Sequence, residues 1–244
     1  MKILVPIKRV VESNARPRPT SDGTSVDTTG LKFEINWFDQ IALEEAVRLR
    51  EKGLPAEIVA VSVGTAESEE IFGKALAMGA DKAVLLETGN ALDASGVAKA
   101  LAEFARAEAF DLILMGKQAT DGDENQVAQR LAAILDLPQA TNAAKIEVNG
   151  NAVTVVRETD EGEETLRLPL PAIVTADLRL NEPRYLPIPA IIKAKSKPRE
   201  RRAASVVDPR VTTVAVRRPP ERGAGQRVGT ADELFAAIVA KGAL

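Results

Sequence analysis

The sequence predicts an α/β fold in which a doubly wound, mostly parallel sheet is covered by helices on both faces. Up to residue 135, apolar runs of strand length alternate with stretches of helical spacing, which is typical of parallel sheets. A hairpin pattern follows at 145–168, and a basic tail follows residue 195. We therefore expect a Rossmann-like sheet with a β-hairpin addition and an extended C-terminal arm.

The first half of the chain supplies the alternating elements. Its apolar runs predict buried strands at 3–7, 56–63, 82–86 and 111–115. Apolar residues at helical spacing predict helices at 39–52, 66–78, 94–109 and 125–135. Asp39 is a candidate N-cap for the first helix, and Gly53 is its stop. The polar, proline-rich stretch 12–25 predicts a long loop before short extended pieces at 25–35.

After Pro138 the pattern changes to β-structure. Two alternating runs, 145–148 and 152–157, flank Asn149-Gly150, which is a strong hairpin signal. Another strand is predicted at 164–168. The apolar run 171–176 predicts a last strand that could return to the main sheet.

The tail predicts an arm and not a second packed domain. Residues 193–227 contain eleven Lys or Arg against three Asp or Glu, with weak periodicity. At its end, Thr230 and Glu233 form a capping-box pattern before an apolar stripe, and Gly242 fits a helix stop. We expect a nucleotide-binding domain at 1–195 and an arm at 196–244, whose short terminal helix docks on a partner subunit.

Composition excludes several classes of function. The chain has no cysteine and no histidine, which excludes disulfides, thiol nucleophiles, the usual zinc sites and hydrolytic triads that use histidine. Aromatic residues make up 3% and do not interleave with the basic tail, so nucleic-acid binding is poorly supported. No leader pattern or membrane-span-length apolar run is found, so we expect a cytoplasmic protein.

The most informative stretch is 116–130, which reads GKQATDGDENQVAQR. It lies between a predicted strand and a predicted helix, where open α/β sheets hold nucleotide phosphates. The start of a helix offers unpaired N–H groups to an anion, and glycines let the backbone approach a ligand. This pattern predicts nucleotide binding, with an ordinary polar loop and helix cap as the alternative.

Four blocks of this sequence carry a resemblance to a known family. They are 5–10 (VPIKRV), 36–49 (NWFDQIALEEAVRL), 116–130, and 174–185 (VTADLRLNEPRY). Together they resemble the beta subunit of electron transfer flavoproteins of the AMP-binding, non-bifurcating type. The resemblance extends to about residue 195, whereas the tail beyond it matches only loosely.

The resemblance implies an electron carrier subunit without catalytic residues of its own. It implies an adenine-nucleotide-binding domain with a structural AMP, and a heterodimer with an alpha subunit that holds most of the FAD. Electrons would come from dehydrogenases, such as the acyl-CoA dehydrogenases of fatty acid oxidation, and pass to a quinone reductase. The chain would then act in the bacterial cytoplasm.

The resemblance also implies which positions bind the cofactor. Phe38 matches a position near the flavin of the alpha subunit, with a residue that staples the helix start as the alternative. Val63 matches an AMP contact, although the residue pattern alone favours plain core. The implied cofactor positions are Pro6, Asn36, Trp37, Phe38, Asp39, Val63, Gly116, Lys117, Gln118, Ala119, Thr120, Asp121, Gly122, Asp123, Glu124, Asn125, Gln126 and Val127.

Three acids in the loop are unexpected beside a phosphate dianion. Asp121, Asp123 and Glu124 could cap the next helix, order the loop, or meet ribose hydroxyls. The residues therefore leave three roles open for these side chains.

A second segment matches the loop by which this family grips dehydrogenases. Ile188 aligns with an exposed apolar anchor, and Pro183, Pro187 and Pro189 stiffen the segment. The alternative is that Ile188, Ile191 and Ile192 fold back under the sheet. The implied partner-binding residues are Arg184, Tyr185, Leu186, Pro187, Ile188, Pro189, Ala190, Ile191, Ile192 and Lys193.

Three rival interpretations are weighed against the loop sequence. An electron-bifurcating relative, with a second FAD in place of AMP, would have a Thr-Ala-Gln-Val-Gly-Pro-like continuation where this chain has 124–129 (ENQVAQ). A stand-alone ATP-binding stress protein would need a Gly-x-x-Gly and a later Gly-Ser or Gly-Thr after the fourth strand. An ATP-pyrophosphatase-type ligase would need a Ser-Gly-Gly-like loop after the first strand, and no glycine occurs before Gly23.

Overall fold

The computed structural model describes residues 1–204 and 210–243, and the expected fold class is confirmed. The elements include thirteen strands and six α-helices. The strands are β1 (Lys2–Pro6), β2 (Arg9–Val11), β3 (Arg18–Pro19), β4 (Val26–Asp27), β5 (Phe33–Ile35), β6 (Glu57–Gly64), β7 (Lys82–Glu87), β8 (Leu112–Gly116), β9 (Gln139–Asn149), β10 (Ala152–Thr159), β11 (Gly162–Pro169), β12 (Ala172–Ala176) and β13 (Arg199–Ala203). The helices are α1 (Trp37–Glu51), α2 (Phe72–Met78), α3 (Ala94–Glu108), α4 (Val127–Leu135), α5 (Ile188–Ala194) and α6 (Ala231–Ala240).

The main sheet has nine strands in the order β11-β10-β9-β12-β8-β1-β6-β7-β13. Strands from β9 to β13 in that order run parallel, and β10 and β11 add antiparallel pairs at one side. The chain builds outward from β1 through β6 to β7, then crosses back to form β8 on the other side of β1. The sheet therefore has its topological switch point between β1 and β8, where ligands of such folds collect.

Two apolar cores cover the two faces of the sheet. Ile3 and Val5 of β1 pack on one face with α1 and α2, and Leu4 packs on the other face with α3 and α4. This alternation follows from the period of two along a strand. Strands buried on both faces read as continuous apolar runs, which is why the sequence revealed them.

Three predicted helix boundaries differ in the structure. The first helix begins at Trp37 with Asn36 at the N-cap, so the expectation that Asp39 is the N-cap is wrong. Residues 66–71 form a 3₁₀ helix before α2 begins at Phe72. The helix expected from residue 125 begins at Val127, because Asn125 has a left-handed backbone with φ 49°.

The hairpin and the returning strand are both confirmed. Gly150 is the first residue of the turn between β9 and β10, and its positive φ of 59° suits a tight hairpin. β9 begins earlier than expected because its first residues pair with β12 and its later residues pair with β10. β12 lies between β9 and β8, as the apolar run at 171–176 suggested.

The segment expected as a proline-stiffened loop is helical from Ile188 onward. Pro187 is the N-cap of α5, and Pro189 lies in its first turn. A proline is tolerated there because the first N–H groups of a helix have no partner within the helix. The helix packs against α2 and buries Ala194.

Beyond residue 195 the chain contributes β13, which pairs in parallel with β7 at the edge of the sheet. Residues 205–209 and 244 of the expected arm lie outside the described residues. The chain divides into a larger unit, 1–17 with 28–213, and a smaller unit, 18–27 with 214–244. The assignment of 1–195 as the nucleotide-binding domain and 196–244 as a docking arm stays a prediction.

The smaller unit has its own local structure. β3 and β4 form a short antiparallel hairpin, and the backbone N–H of Val216 donates to the carbonyl of Gly23 over 2.8 Å. α6 carries the expected cap, since the Thr230 hydroxyl accepts from the N–H of Glu233. In the described parts of the chain, no helix is long and apolar enough to cross a membrane.

Candidate functional site

A cleft of about 360 Å³ lies at the carboxyl ends of β1, β6 and β8. These strands meet at the switch point of the sheet, and the volume falls in the range of small-ligand pockets. The floor of the cleft contains apolar side chains, among them Val61, Val63 and Met115. Its rim is formed by the loop that joins β8 to α4.

Most positions implied for the cofactor line this one cleft. Those that do are Pro6, Asn36, Asp39, Val63, Gly116, Lys117, Gln118, Ala119, Gly122, Asp123, Glu124, Asn125, Gln126 and Val127. The others, Trp37, Phe38, Thr120 and Asp121, lie beside it without lining it. Phe38 is mostly buried within this chain, and Trp37 is 45% exposed.

Asn36 fastens the rim of the cleft to the start of α1. Its side-chain Nδ2 donates to the carbonyl of Gln118 over 2.8 Å, and its Oδ1 accepts from the N–H of Thr120 over 3.1 Å. Asn36 is almost fully buried, so these two bonds satisfy a side chain that would otherwise be costly to bury. The amide therefore fixes where the loop leaves β8.

Asp39 joins the ends of the two strands that flank the switch point. Its carboxylate accepts from the N–H of Lys8 over 2.8 Å and from the N–H of Gly116 over 3.0 Å. Burial raises the pKa of Asp39 to about 7, even though these hydrogen bonds act to lower it. The carboxyl group is thus a structural bridge whose charge state changes near neutral pH.

Gly116 has no room for a side chain at the end of β8. A Cβ built there would lie 2.7 Å from the Cβ of Phe38 and would also clash with Oδ1 of Asp39. The glycine therefore permits a close approach between β8 and α1. The sequence suggested an approach to a ligand instead.

The loop residues before α4 adopt unusual backbone conformations. Asp123 and Asn125 both have positive φ, 54° and 49°, in a region that Asp and Asn enter more readily than most residues. The N–H of Asp123 donates to the carbonyl of Ala119 over 2.8 Å, which closes the turn. This geometry directs the chain into the first turn of α4 at the edge of the cleft.

α4 starts without a capping side chain. In the part of the chain that the structure describes, the side chain of its N-cap residue, Gln126, accepts no hydrogen bond from the first N–H groups of the helix and accepts instead from the Arg130 guanidinium. By contrast, α3 is capped by Asp93, whose carboxylate accepts from the N–H of Gly96 over 2.8 Å. The first N–H groups of α4, which line the cleft, are thus left for water or a ligand.

Two of the three loop acids are engaged in ordering the loop. Asp121 forms an ion pair with Lys8 over 2.6 Å, and Asp123 accepts a hydrogen bond from Gln118. For these two acids the structure shows the loop-ordering role and no capping contact with α4 among the described residues, whereas contact with ribose hydroxyls stays a prediction. Glu124 lines the cleft.

Sequence reasoning missed part of the cleft wall. Gly64 ends β6, and Thr65 and Ser68 follow it, while residues 91–93 lead into α3 and Ala94 and Val97 lie in its first turn. Lys8 and Arg9 follow β1. Each group comes directly or shortly after a predicted strand, so the rule that ligands collect at carboxyl ends could have found them.

The lining of the cleft suits a small organic ligand. Among the described residues, no group of three or more His, Cys, Asp or Glu side chains could hold an ion. An apolar floor suits a planar base, and the uncapped start of α4 suits an anion. These features fit a mononucleotide.

The segment implied for partner binding lies away from the cleft, at the other end of α1. Arg184 is bound to Glu44 over 2.8 Å and to Glu51 over 2.7 Å, both on α1. The hydrogen bonds that Arg184 donates to Glu51 and to Glu44 raise the pKa of its guanidinium group. The segment is therefore held firmly where it leaves the body of the protein.

The side chains after Arg184 are strongly exposed. Tyr185 is 91% exposed and Ile188 is 72% exposed, and Ile191 and Ile192 also face solvent. The alternative in which Ile188, Ile191 and Ile192 fold back under the sheet is therefore wrong. Leu186 packs against the core, and Lys193 lies on the exposed side. Single exposed apolar residues are common, but a cluster of them indicates a contact surface.

A family model described as the electron transfer flavoprotein domain matches residues 23–207. A protein from Bradyrhizobium diazoefficiens, named electron transfer flavoprotein subunit beta, is 45% identical over 98% of this chain and 97% of its own length. Proteins of the same name from Dictyostelium discoideum and Homo sapiens are each 44% identical over 98% of this chain, and over 97% and 96% of their own lengths.

Proposed function

Because the chain belongs to the electron transfer flavoprotein family, among its beta subunits, we propose that it binds a structural AMP in the cleft and pairs with an FAD-bearing alpha subunit. The observation that carries the AMP assignment is the uncapped N-terminus of α4 at the rim of an apolar cleft. A phosphate monoanion or dianion is the natural partner of such a helix end.

Different residues of this chain bind the phosphate, the base and the ribose of AMP. The first N–H groups of α4 and the loop backbone around Gly122 bind the phosphate, and the apolar floor near Val63 and Met115 holds the base. Glu124, which lines the cleft, meets the ribose hydroxyls. Asn36 and Asp39 shape the loop and the strand ends through their own hydrogen bonds. The role of AMP is to brace the sheet.

FAD, held mainly by the alpha subunit, supplies the redox chemistry when bound. This chain contributes the wall beside it, and Trp37, exposed at the start of α1, is our candidate for that interface. The chain provides no catalytic residue of its own in this proposal. The complex works in the bacterial cytoplasm, accepting electrons from dehydrogenases such as acyl-CoA dehydrogenases and delivering them to a quinone reductase.

Partner docking uses the segment from Arg184 to Lys193. Support comes from the exposed apolar side chains of Tyr185, Ile188 and Ile192 on an element whose base is fixed by ion pairs. Such preorganised apolar anchors are typical of binding hot spots. The arm, 196–244, docks on the alpha subunit, and α6 brings exposed Leu234, Phe235 and Val239 to that contact.

The test is the cofactor content of the complex made by co-expressing this chain with an alpha subunit. Mass spectrometry of the ligands released from the purified complex should give one AMP and one FAD per heterodimer. Asn36→Ala should lower the AMP content several-fold and leave the FAD content unchanged, because it frees the loop rim. The matched control is Asn151→Ala, in the distant hairpin turn. Two FAD and no AMP would assign the chain to the bifurcating class instead.

A further inference from the structure

Glu44 is a buried carboxylate on α1 with a set of partners that the nucleotide site does not use. Its side chain is only 2% exposed. It accepts from Nε of Arg48 over 2.8 Å, and from Nε and Nη2 of Arg184 over 2.8 and 3.1 Å. The backbone N–H of Arg184 also points to it, over 3.3 Å.

The burial of the charged Glu44 side chain calls for a physical explanation. Taking a carboxylate out of water is unfavourable, and a well-packed apolar side chain often gives equal or greater stability. Burial acts to raise the pKa of Glu44, yet hydrogen bonds from Arg184 and Arg48 bring it below its usual value. The carboxylate therefore stays charged, and what it adds over an apolar residue is a fixed geometry for Arg184.

α1 binds the whole stretch that leads to the exposed segment. Nδ2 of Asn181 donates to Glu45 over 2.9 Å and to the carbonyl of Ile41 over 3.1 Å. Nη2 of Arg48 donates to the carbonyl of Glu182 over 2.6 Å. Successive turns of one helix thus hold residues 181–184 in register.

The far end of the segment has its own anchor. Nζ of Lys197 donates to the carbonyls of Leu76 and Ala80, over 2.9 and 2.6 Å, at the C-terminal end of α2. A cation is favourable at a helix C-terminus, where carbonyls lack partners within the helix. α5 therefore lies between two anchors. Before it in the chain, Arg184 is bound to Glu44, and after it, Lys197 is bound to the end of α2.

We propose that Glu44 is a positioning residue for partner docking, which fixes α5 through Arg184 so that Ile188 and its exposed neighbours are held ready for an apolar pocket. Lys197 fixes the opposite end. The proposal rests on the proposed docking function of the segment. It adds that affinity depends on an anchor that the partner never touches, because a preorganised segment loses less conformational entropy on binding.

The experiment uses the full heterodimer with Glu44→Gln, and Glu51→Gln as the matched control on the exposed partner of the same arginine. In Glu44→Gln, hydrogen exchange of the backbone amides at 190–193 should speed up by about tenfold, because an anchor of the segment is weakened. The KM for the heterodimer in reduction by an acyl-CoA dehydrogenase should rise about fivefold, with kcat within about twofold. Reduction by dithionite and the FAD content should not change, and the control should stay near wild type.

The outcomes separate this proposal from the docking assignment itself. Faster exchange with an unchanged KM would overturn the positioning role of Glu44. Unchanged uptake in Ile188→Ala would instead overturn the docking assignment, whatever Glu44→Gln does. Glu44→Asp, which keeps the charge, should recover part of the affinity. If Glu44→Gln does not assemble, Lys197→Met loosens the other end and should raise KM in the same way, and an unchanged KM there would overturn the two-anchor arrangement.

Discussion

Asp39 accepts backbone hydrogen bonds from Lys8 and Gly116, which belong to chain segments on either side of the switch point. Sequence reasoning read the same residue as an N-cap, because an acid before an apolar periodic stretch is a common helix start. The predicted N-cap lies one helical turn after the observed N-cap, Asn36. The carboxyl group of Asp39 instead bonds to the backbone of two other chain segments. Local patterns cannot distinguish these roles, since both place a short acid near a helix N-terminus.

Asp39→Asn tests whether the bridging carboxyl group titrates. The folded-state pKa is raised to about 7 from an ordinary 3.8, so its contribution to stability is full below about pH 4 and is lost as the pH rises to 7. The free energy of unfolding of the wild type should therefore fall between pH 5 and pH 8, by about 2 kcal/mol from this group. The variant should lack this component.

The measurement is urea unfolding of the wild-type and Asp39→Asn complexes at several pH values between 5 and 8. At pH 5 the variant should be the less stable of the two, because its amide Nδ2 would face one of the two N–H donors. Parallel pH profiles for the two proteins would mean that Asp39 keeps an ordinary pKa.

At the scale of elements, the sequence predicted best the parts whose local pattern and burial agree. β1, β6, β8 and β12 are apolar runs buried on both faces, and their order along the chain fixed the fold class. α5 was missed because prolines mark both loops and helix starts. Which of the two applies depends on packing against α2, and such a contact leaves no signal in a single sequence.

Ile188→Ala tests α5 as the docking element. The second-order rate of electron uptake from an acyl-CoA dehydrogenase should fall about 5- to 30-fold, because truncating a hot-spot side chain typically removes 1–2 kcal/mol. The free energy of unfolding should change by less than about 0.5 kcal/mol, since the side chain is 72% exposed. Leu178→Ala, a half-exposed leucine outside the segment, is the control. Loss of flavin in Ile188→Ala would contradict the assignment.

At the scale of the whole molecule, α1 connects the two proposed sites. Its N-cap residue, Asn36, fastens the rim of the cleft, and its later turns hold Arg184 at the start of the docking segment. The sequence indicated both groups of residues as candidate sites, but it did not indicate that one helix connects them. The hydrogen bonds of Asn36 to the loop and of Glu44 to Arg184 span more than eighty residues of chain, and such pairings follow from the completed fold.

Removing the nucleotide should lower the stability of the whole complex. A ligand that binds only the folded state stabilises it by about 2.7 kcal/mol at a concentration of 100 times its Kd. Adding AMP to the stripped complex should therefore raise its Tm, and adenosine should restore much less, since it lacks the group that meets the start of α4. Equal rescue by adenosine, measured by calorimetry, would contradict phosphate binding at this helix.

β13 is the strand for which the sequence pattern gives the weakest signal. Its residues, Arg199–Ala203, are nearly all charged, so neither alternation nor β-propensity marks it as a strand. Its place follows from pairing with β7 and from ion pairs such as Arg202 with Glu108. Hydrogen bonds from Arg202 and Lys82 lower the pKa of Glu200 to about 2. The pairing thus depends on partners distant in the chain.

The two outermost strands have a consequence for behaviour at high concentration. An open strand with free N–H and C=O groups invites pairing with another molecule, and charged side chains oppose this. β13 covers apolar β7 with arginines, and β11 at the opposite margin exposes Glu163 and Glu164. Like charges would meet if two copies aligned β13 with β13 or β11 with β11. Each margin is thus protected against pairing with the same margin of a second copy.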